Sequence, residues 1–391
     1  MKRLRNLAKA LLRPPVVGQT PADVVFTENK WRLLRYRSGA GPRLHKTPVL
    51  LVPSLINRHY VLDLTPGRSF VEYLRDQGHD VFMIDWGTPG PEDRYLEFDT
   101  ICDRYIGRAL RVCTEMAGSP KAHLLGYCLG GTLAAIHVAA RPERVQSFVA
   151  LAAPIDFHDE GLLSLWMQPR FFDVKAMVDA FGNVPWPLLQ ASFHMLKPTM
   201  NLVKGVNLVD RAWDDEFLDG FLAVEKWGND NVSFPGAAYQ RYVEALYQRN
   251  ELLRGEFRLN GRPARLDAIE LPTLAVTFKD DHIVPFKSAQ VLLERIRSRD
   301  KKHLDLRGGH VGAVVSRKAA GSLWPELSNW WAERQSPPQT ERVDEKSKDD
   351  RSTRAARSGE RNRGVGRNLG DAEPRRHHRP ALRADQLERP R

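Results

Sequence analysis

The sequence predicts an α/β fold: a mostly parallel central sheet, a helical cap inserted after the sixth strand, and a disordered basic C-terminal tail. Three observations carry this. Short apolar runs alternate with amphipathic stretches every 30–40 residues up to about residue 157 and again from about 265, which is the pattern of strands joined by helical crossovers. Between them the alternation stops, and Trp, Phe and Met recur at irregular or helical spacing. From Ser336 onward, aromatic and β-branched residues nearly vanish, so that stretch cannot bury enough surface to fold by itself.

The elements follow in order. Residues 22–37, "ADVVFTENKWRLLRYR", alternate as a hairpin turning at Glu28-Asn29. "TPVLLVPSL" (47–55) is a near-continuous apolar run, as a strand buried on both faces must be. "SFVEYLRDQG" (69–78) reads as a helix stopped by Gly78, and "HDVFMIDW" (79–86) as the next strand. A helix over 99–117 leads to the strand 121–127. The small-residue helix "LGGTLAAIHVAA" (129–140) and the strand "VQSFVALAAP" (145–154) come next. "LPTLAVTF" (271–278) resumes the sheet, followed by a helix over 286–298, the strand "KHLDLR" (302–307) and a last helix near 318–334. The expected organisation is a basic N-terminal helix or arm (1–20), a core in two parts (21–157 and 265–335), a helical cap or lid (158–264) and the tail (336–391). A cap of this kind shields a reaction from water.

Bulk properties narrow the function. The formal net charge of +11 sits almost wholly at the ends: residues 1–13 carry five basic side chains and no acidic one, and residues 336–391 carry 15 Lys and Arg against 10 Asp and Glu. The body is near neutral, with no basic stripe for nucleic acid. No run of about 18 apolar residues exists to span a membrane. Three cysteines without a Cys-x-x-Cys pair fit neither a disulfide framework nor a zinc site, so no metal is expected.

The chemistry is concentrated in "KAHLLGYCLGG" (121–131). An apolar strand runs into Gly126-Tyr127-Cys128-Leu129-Gly130, the nucleophile elbow of α/β-hydrolases with a thiol in the serine's place. Gly126 and Gly130 flank the turn where a larger side chain would collide. The helix opening at Leu129 aims its positive end at the sulfur, which favours the thiolate. Cys102 and Cys113 lack this setting and read as core or helix-face residues.

A nucleophile so placed needs an acid and then a histidine, in that chain order. His310, in "DLRGGHVGAVVS" after the last strand, is the expected base. His303, His137, His158 and His194 fit worse, and His282 is the second choice. "AVTFKDDHIVP" offers Asp280 and Asp281 as the acid; Asp281 is preferred, with Asp156 as the alternative one strand earlier. The oxyanion hole would use the backbone N–H of Leu129 and a second N–H from the loop Ser54–Tyr60, with Ile56 the expected donor. A thiol nucleophile suits acyl transfer from a thioester, because the acyl-enzyme is itself a thioester and stays reactive toward an alcohol.

With these residues in view, the chain resembles the polyhydroxyalkanoate synthases, specifically the class III catalytic subunit. The resemblance runs from about residue 20 to 335 through "VPSLINRHYVLDL", "VFMIDWGTPGPEDR", "GYCLGGT", "DDEFLDGFLAVEKW", "AAYQRYVEALYQRNELLRGEF", "DDHIVP" and "GGHVGAVVS". It implies Cys128, Asp281 and His310 as the catalytic triad and polymerisation of (R)-3-hydroxyacyl-CoA, short-chain monomers such as 3-hydroxybutyryl-CoA above all. CoA would be released, with no cofactor beyond the substrate thioester. It implies that Asp281 helps activate the monomer's 3-hydroxyl. It also implies a growing polyester chain as partner, a small non-catalytic subunit, a homodimer formed through the cap, and a cytoplasmic location on a polymer granule surface. The segment "KWGNDNVSFPGAAY" and the Arg-rich tail depart from the family pattern. The competing reading is a cysteine hydrolase or thioesterase of the dienelactone-hydrolase kind, with water as the acceptor.

Overall fold

The structure, a computed structural model, describes residues 15–39 and 41–336. The basic N-terminal helix expected before residue 14 and the tail beyond Ser336 lie outside the described residues. Eight strands build one sheet in the order β1-β2-β4-β3-β5-β6-β9-β10. They are β1 (Ala22–Glu28), β2 (Trp31–Tyr36), β3 (Val49–Val52), β4 (Val81–Asp85), β5 (Ala122–Tyr127), β6 (Val145–Leu151), β9 (Thr273–Phe278) and β10 (Lys301–Leu306). A two-residue hairpin, β7 (Arg258–Leu259) with β8 (Arg262–Pro263), lies outside the sheet.

Within the eight-stranded sheet the first hairpin is antiparallel and β2 joins β4 antiparallel; its other pairings are parallel. The hairpin turns through Asn29, whose φ of 51° is one of the few left-handed conformations outside glycine. Strands β3, β4 and β5 are buried along their whole length, which is why their sequences lack polar alternation. The helix expected over 99–117 is regular only from Ile106 to Ala117; Thr100–Tyr105 is a π-helical turn. The last expected helix is split at Gly321 into Arg317–Ala320 and Leu323–Ala332.

The chain between β6 and β9 is helical from Leu162 to Arg254. Its outer members are lightly anchored. Leu162–Trp166, Val174–Phe181 and Trp186–Leu196 each bury one residue: Ser164, Val174 and Leu189. The later helix Asp215–Asn229 buries Leu218, Gly220, Ala223 and Trp227. Few buried contacts leave an element weakly held, so the outer helices are the least anchored part of the insertion. Among the described residues no helix is long and apolar enough to cross a membrane.

Candidate active site

Central strand β5 delivers Cys128 to the carboxyl edge of the sheet, where parallel α/β folds concentrate their sites. Cys128 has φ 55° and ψ −130°, a strained conformation that a non-glycine residue holds only when its surroundings enforce it. Two bonds do so: its N–H donates to the Leu151 carbonyl at 2.9 Å, and its carbonyl accepts from Gly131 N–H at 2.8 Å. The glycines are required by contact. A Cβ on Gly126 would strike Gly130 O and Gly131 Cα, one on Gly130 would strike the carbonyls of Val52 and Pro53, and one on Gly131 would strike the Ala153 side chain. The helix Leu129–Ala140 starts immediately after the cysteine. The first N–H groups of a helix have no acceptor within it, and that of Leu129 is the first of this helix.

Two neighbouring loops bring the partners. The loop after β9 carries Asp280 and Asp281, and the loop after β10 carries His310. They are stapled together: Asp280 N–H donates to Gly308 O, and Gly308 N–H donates to the Asp280 carboxylate, each at 3.1 Å. The imidazole Nδ1–H of His310 then donates to Asp281 Oδ2 at 2.7 Å. The other carboxylate oxygen accepts from the N–H groups of Ile283 and Val284 at 2.9 Å each. The side chains of His310 and Asp281 are 5% and 1% exposed.

The electrostatics are those of an ion-pair chain. Burial opposes charge on His310, but the Cys128 sulfur and the Asp281 carboxylate beside it outweigh burial and push the imidazole well above its ordinary value of 6.5. Burial would likewise raise Asp281; the charge and hydrogen bond of His310, with the two backbone N–H groups, hold it below 3.8 instead.

Cys128, His310 and Asp281, reached from chain order, are thus brought together. Asp156 and three of the other histidines are occupied elsewhere, whereas His282 lines the cavity at Cys128. Asp156 accepts from Asn250 and from His158 N–H, so it is no partner of His310. His137 is buried and bonded to the Cys102 carbonyl, His158 to the Tyr247 carbonyl and His303 to Thr277. Cys102 and Cys113 are fully buried. Burial, with nearby aspartates adding to it, pushes both thiols well above the ordinary range.

Cys128 opens into a cavity of about 50 Å³ whose lining includes Ile56, Leu129, Tyr242, Tyr247 and His282, with Leu163 and Phe193 of the outer helices closing it. That volume holds a few water molecules. Ile56 and Leu129 line the same cavity. Asp159 also lines the cavity, and burial raises its carboxyl above the ordinary range. Neither Asp159 nor the tyrosine pair was foreseen. The aromatic richness of "AAYQRYVEALYQ" was visible, but not which rings face the sulfur.

Residues 47–315 match the family described as alpha/beta hydrolase fold, and residues 15–74 match the poly-beta-hydroxybutyrate polymerase (PhaC) N-terminus. The poly(3-hydroxyalkanoate) polymerase subunit PhaC of Haloferax mediterranei is 36% identical over 337 residues, which is 86% of this chain and 68% of that protein. The protein of the same name from Allochromatium vinosum is 35% identical over 81% of this chain and 90% of its own length. Among solved structures, a Paleococcus ferrophilus monoacylglycerol lipase superposes with a TM-score of 0.50 at 16% identity, covering 78% of this chain and all of that one. At that identity the likeness shows the fold alone.

Proposed function

The chain belongs to the poly(3-hydroxyalkanoate) polymerases of the α/β-hydrolase superfamily, which are acyltransferase-type enzymes, and we propose that it makes its polyester through a thioester on Cys128. The substrate is an (R)-3-hydroxyacyl-CoA, with short-chain monomers such as 3-hydroxybutyryl-CoA favoured by the small cavity. The single observation behind this reading is the buried Asp281–His310 pair beside a cysteine in strained backbone.

His310 takes the proton of Cys128, and the thiolate attacks the thioester carbonyl. The oxyanion that forms is met by the N–H of Leu129 and, from the facing loop, that of Ile56. Collapse expels the thiolate of coenzyme A, which recovers the proton from the imidazolium. A 3-hydroxyl then attacks the acyl-cysteine, with His310 taking its proton and returning it to the sulfur. Both carboxylate oxygens of Asp281 are engaged and the side chain is almost fully enclosed. Asp281 therefore assists the hydroxyl through His310, by holding the ring's tautomer and its positive charge, not by meeting the hydroxyl itself. No metal or organic cofactor enters these steps.

The same reading brings a small non-catalytic subunit, a dimer formed through the cap, and residence on the surface of a cytoplasmic polymer granule. Exposed apolar side chains on the insertion, among them Leu165, Phe171, Phe181, Trp186, Met195 and Trp213, favour a hydrophobic partner of some kind there.

Incubation with 3-hydroxybutyryl-CoA tests the proposal. Turbidity with release of CoA is expected, together with a hydroxyacyl adduct on Cys128 that Cys128→Ala abolishes. Free hydroxy acid without polymer would favour the hydrolase instead, and unchanged CoA release by Cys128→Ala would overturn the thioester route.

A further inference from the structure

The loop bearing Ile56 is held by a strap of the helical insertion. The strap is the turn Asp230–Val232 that follows the helix Asp215–Asn229. Its Val232 N–H donates to the Ile56 carbonyl at 3.1 Å. Asn231 forms a bridge with Asn57, whose side-chain amide donates to the Asn231 side-chain oxygen. Asn231 is itself oriented by donating to Gly228 O at 3.0 Å. Asp230 accepts from Arg58 Nε at 3.1 Å and from the Tyr60 hydroxyl at 2.8 Å. Trp227, one turn earlier, donates its indole N–H to the Arg58 carbonyl at 2.8 Å.

The core grips the same loop at its ends. Trp86 donates to Pro53 O at 2.9 Å, Arg58 reaches Thr88 Oγ1 at 2.9 Å, and His59 pairs with Asp85 at 3.1 Å. The bonds at Ile56 and Asn57 come from the strap. A hydrogen bond on the Ile56 carbonyl restrains the peptide plane that follows Ile56, one α-carbon away from its N–H. An oxyanion donor must be aimed within a fraction of an ångström to be worth its place.

We infer that Asn231, anchored by Asp230, is a positioning residue that aims the Ile56 N–H at the reacting carbonyl. The inference rests on the proposed thioester route and extends it: half of the oxyanion hole is supported by the insertion as well as by the core. The Arg58–Asp230 ion pair is partly open to solvent, with side chains 26% and 39% exposed. Its value is in register more than in stability.

The test compares two reactions of one sulfur. Acyl loading from 3-hydroxybutyryl-CoA, read as the CoA burst, passes through an oxyanion. Alkylation of Cys128 by iodoacetamide does not. Asn231→Ala is expected to slow loading about tenfold, and the double variant Asp230→Ala/Asn231→Ala about a hundredfold, the scale on which small misplacements act. KM and the alkylation rate should stay within about twofold. Asn231→Asp, which keeps the acceptor for Asn57, should recover most of the lost rate. If the double variant does not fold, Tyr60→Phe, which removes only the hydroxyl bound to Asp230, carries the same comparison with a smaller loss. Wild-type loading in these variants, or alkylation falling in parallel with loading, overturns the inference. If Cys128→Ala still releases CoA, it is the thioester route itself that fails.

Discussion

Tyr127 lies beneath His310: the two rings are stacked 5.3 Å apart at 25°, and the Tyr127 hydroxyl donates to the His310 backbone carbonyl at 3.1 Å. The residue before Cys128 therefore supports His310. Tyr127→Phe keeps the stack and loses the bond, leaving the buried carbonyl with one partner fewer. The expected cost is about 1–2 kcal/mol of stability, read by denaturant midpoint, and a fall in kcat of about tenfold with KM unchanged as the ring gains freedom. An equal loss in kcat and KM would mean that the hydroxyl serves substrate binding and not His310.

The Asp281–His310 pair makes a pH-dependent contribution whose sign can be worked out. Asp281 is held below 3.8, so its stabilisation is present above that pH and lost as pH falls toward the folded value. His310 is held above 6.5, so its stabilisation is complete below that pH and lost as pH rises through the folded value. Both operate together between about pH 4 and 6.5. Asp281→Asn should lower the melting temperature most in that window and progressively less above it, while reducing kcat by two orders of magnitude or more. In Cys128→Ala the imidazole loses the largest influence raising it. Its titration by NMR should then move toward 6.5; an unmoved titration would show that the sulfur does not act on the ring.

How much of this was legible depends on distance along the chain. The strands were readable because burial on both faces leaves long apolar runs, as in "VLLV" of β3. The elbow was readable because its glycines and cysteine are neighbours in sequence. His310 and Asp281 could be found because chain order in this fold constrains where an acid and a base arise. The strap was not legible. "KWGNDNVSF" has no periodicity, and its partner Tyr60 is 170 residues away, so nothing local marks Asp230 or Asn231. The π-helical turn at Thr100–Tyr105 was equally hidden, since its residues suit an ordinary helix.

The elbow glycines give a prediction about folding. A methyl on Gly130 would overlap the carbonyls of Val52 and Pro53, which are backbone and cannot turn aside. Gly130→Ala should cost about 3 kcal/mol or more and lower the soluble yield. Gly118→Ala offers the contrast. Its φ is positive, unlike that of Gly130, but no heavy atom lies within 4 Å of the added methyl, so it should lose only about 1 kcal/mol from backbone strain. Matched denaturation curves decide the matter; a loss at Gly130 no larger than that at Gly118 would mean that the surroundings give way and the collision does not set the requirement at the elbow.

Acyl-chain preference follows from what closes the cavity. About 50 Å³ beside Cys128 is small for any hydroxyacyl group, so loading requires the wall to yield. The part of the wall most able to yield is Phe193, on a helix that buries only Leu189. The core side of the cavity is rigid by comparison: Phe157 packs edge-on against Tyr242 and Tyr247, with ring centroids 6.0 and 4.9 Å away. Phe193→Ala should therefore widen the pocket without unfolding the core. The ratio of kcat/KM for 3-hydroxyhexanoyl-CoA over 3-hydroxybutyryl-CoA should rise about tenfold, within the range that one or two methylenes are worth in an apolar pocket. Phe157→Ala, by contrast, removes a fully buried ring and should cost about 3–5 kcal/mol of stability. If Phe193→Ala leaves the ratio unchanged, chain length is being set on the rigid side, by Tyr242 and Tyr247, and the outer helices govern only entry.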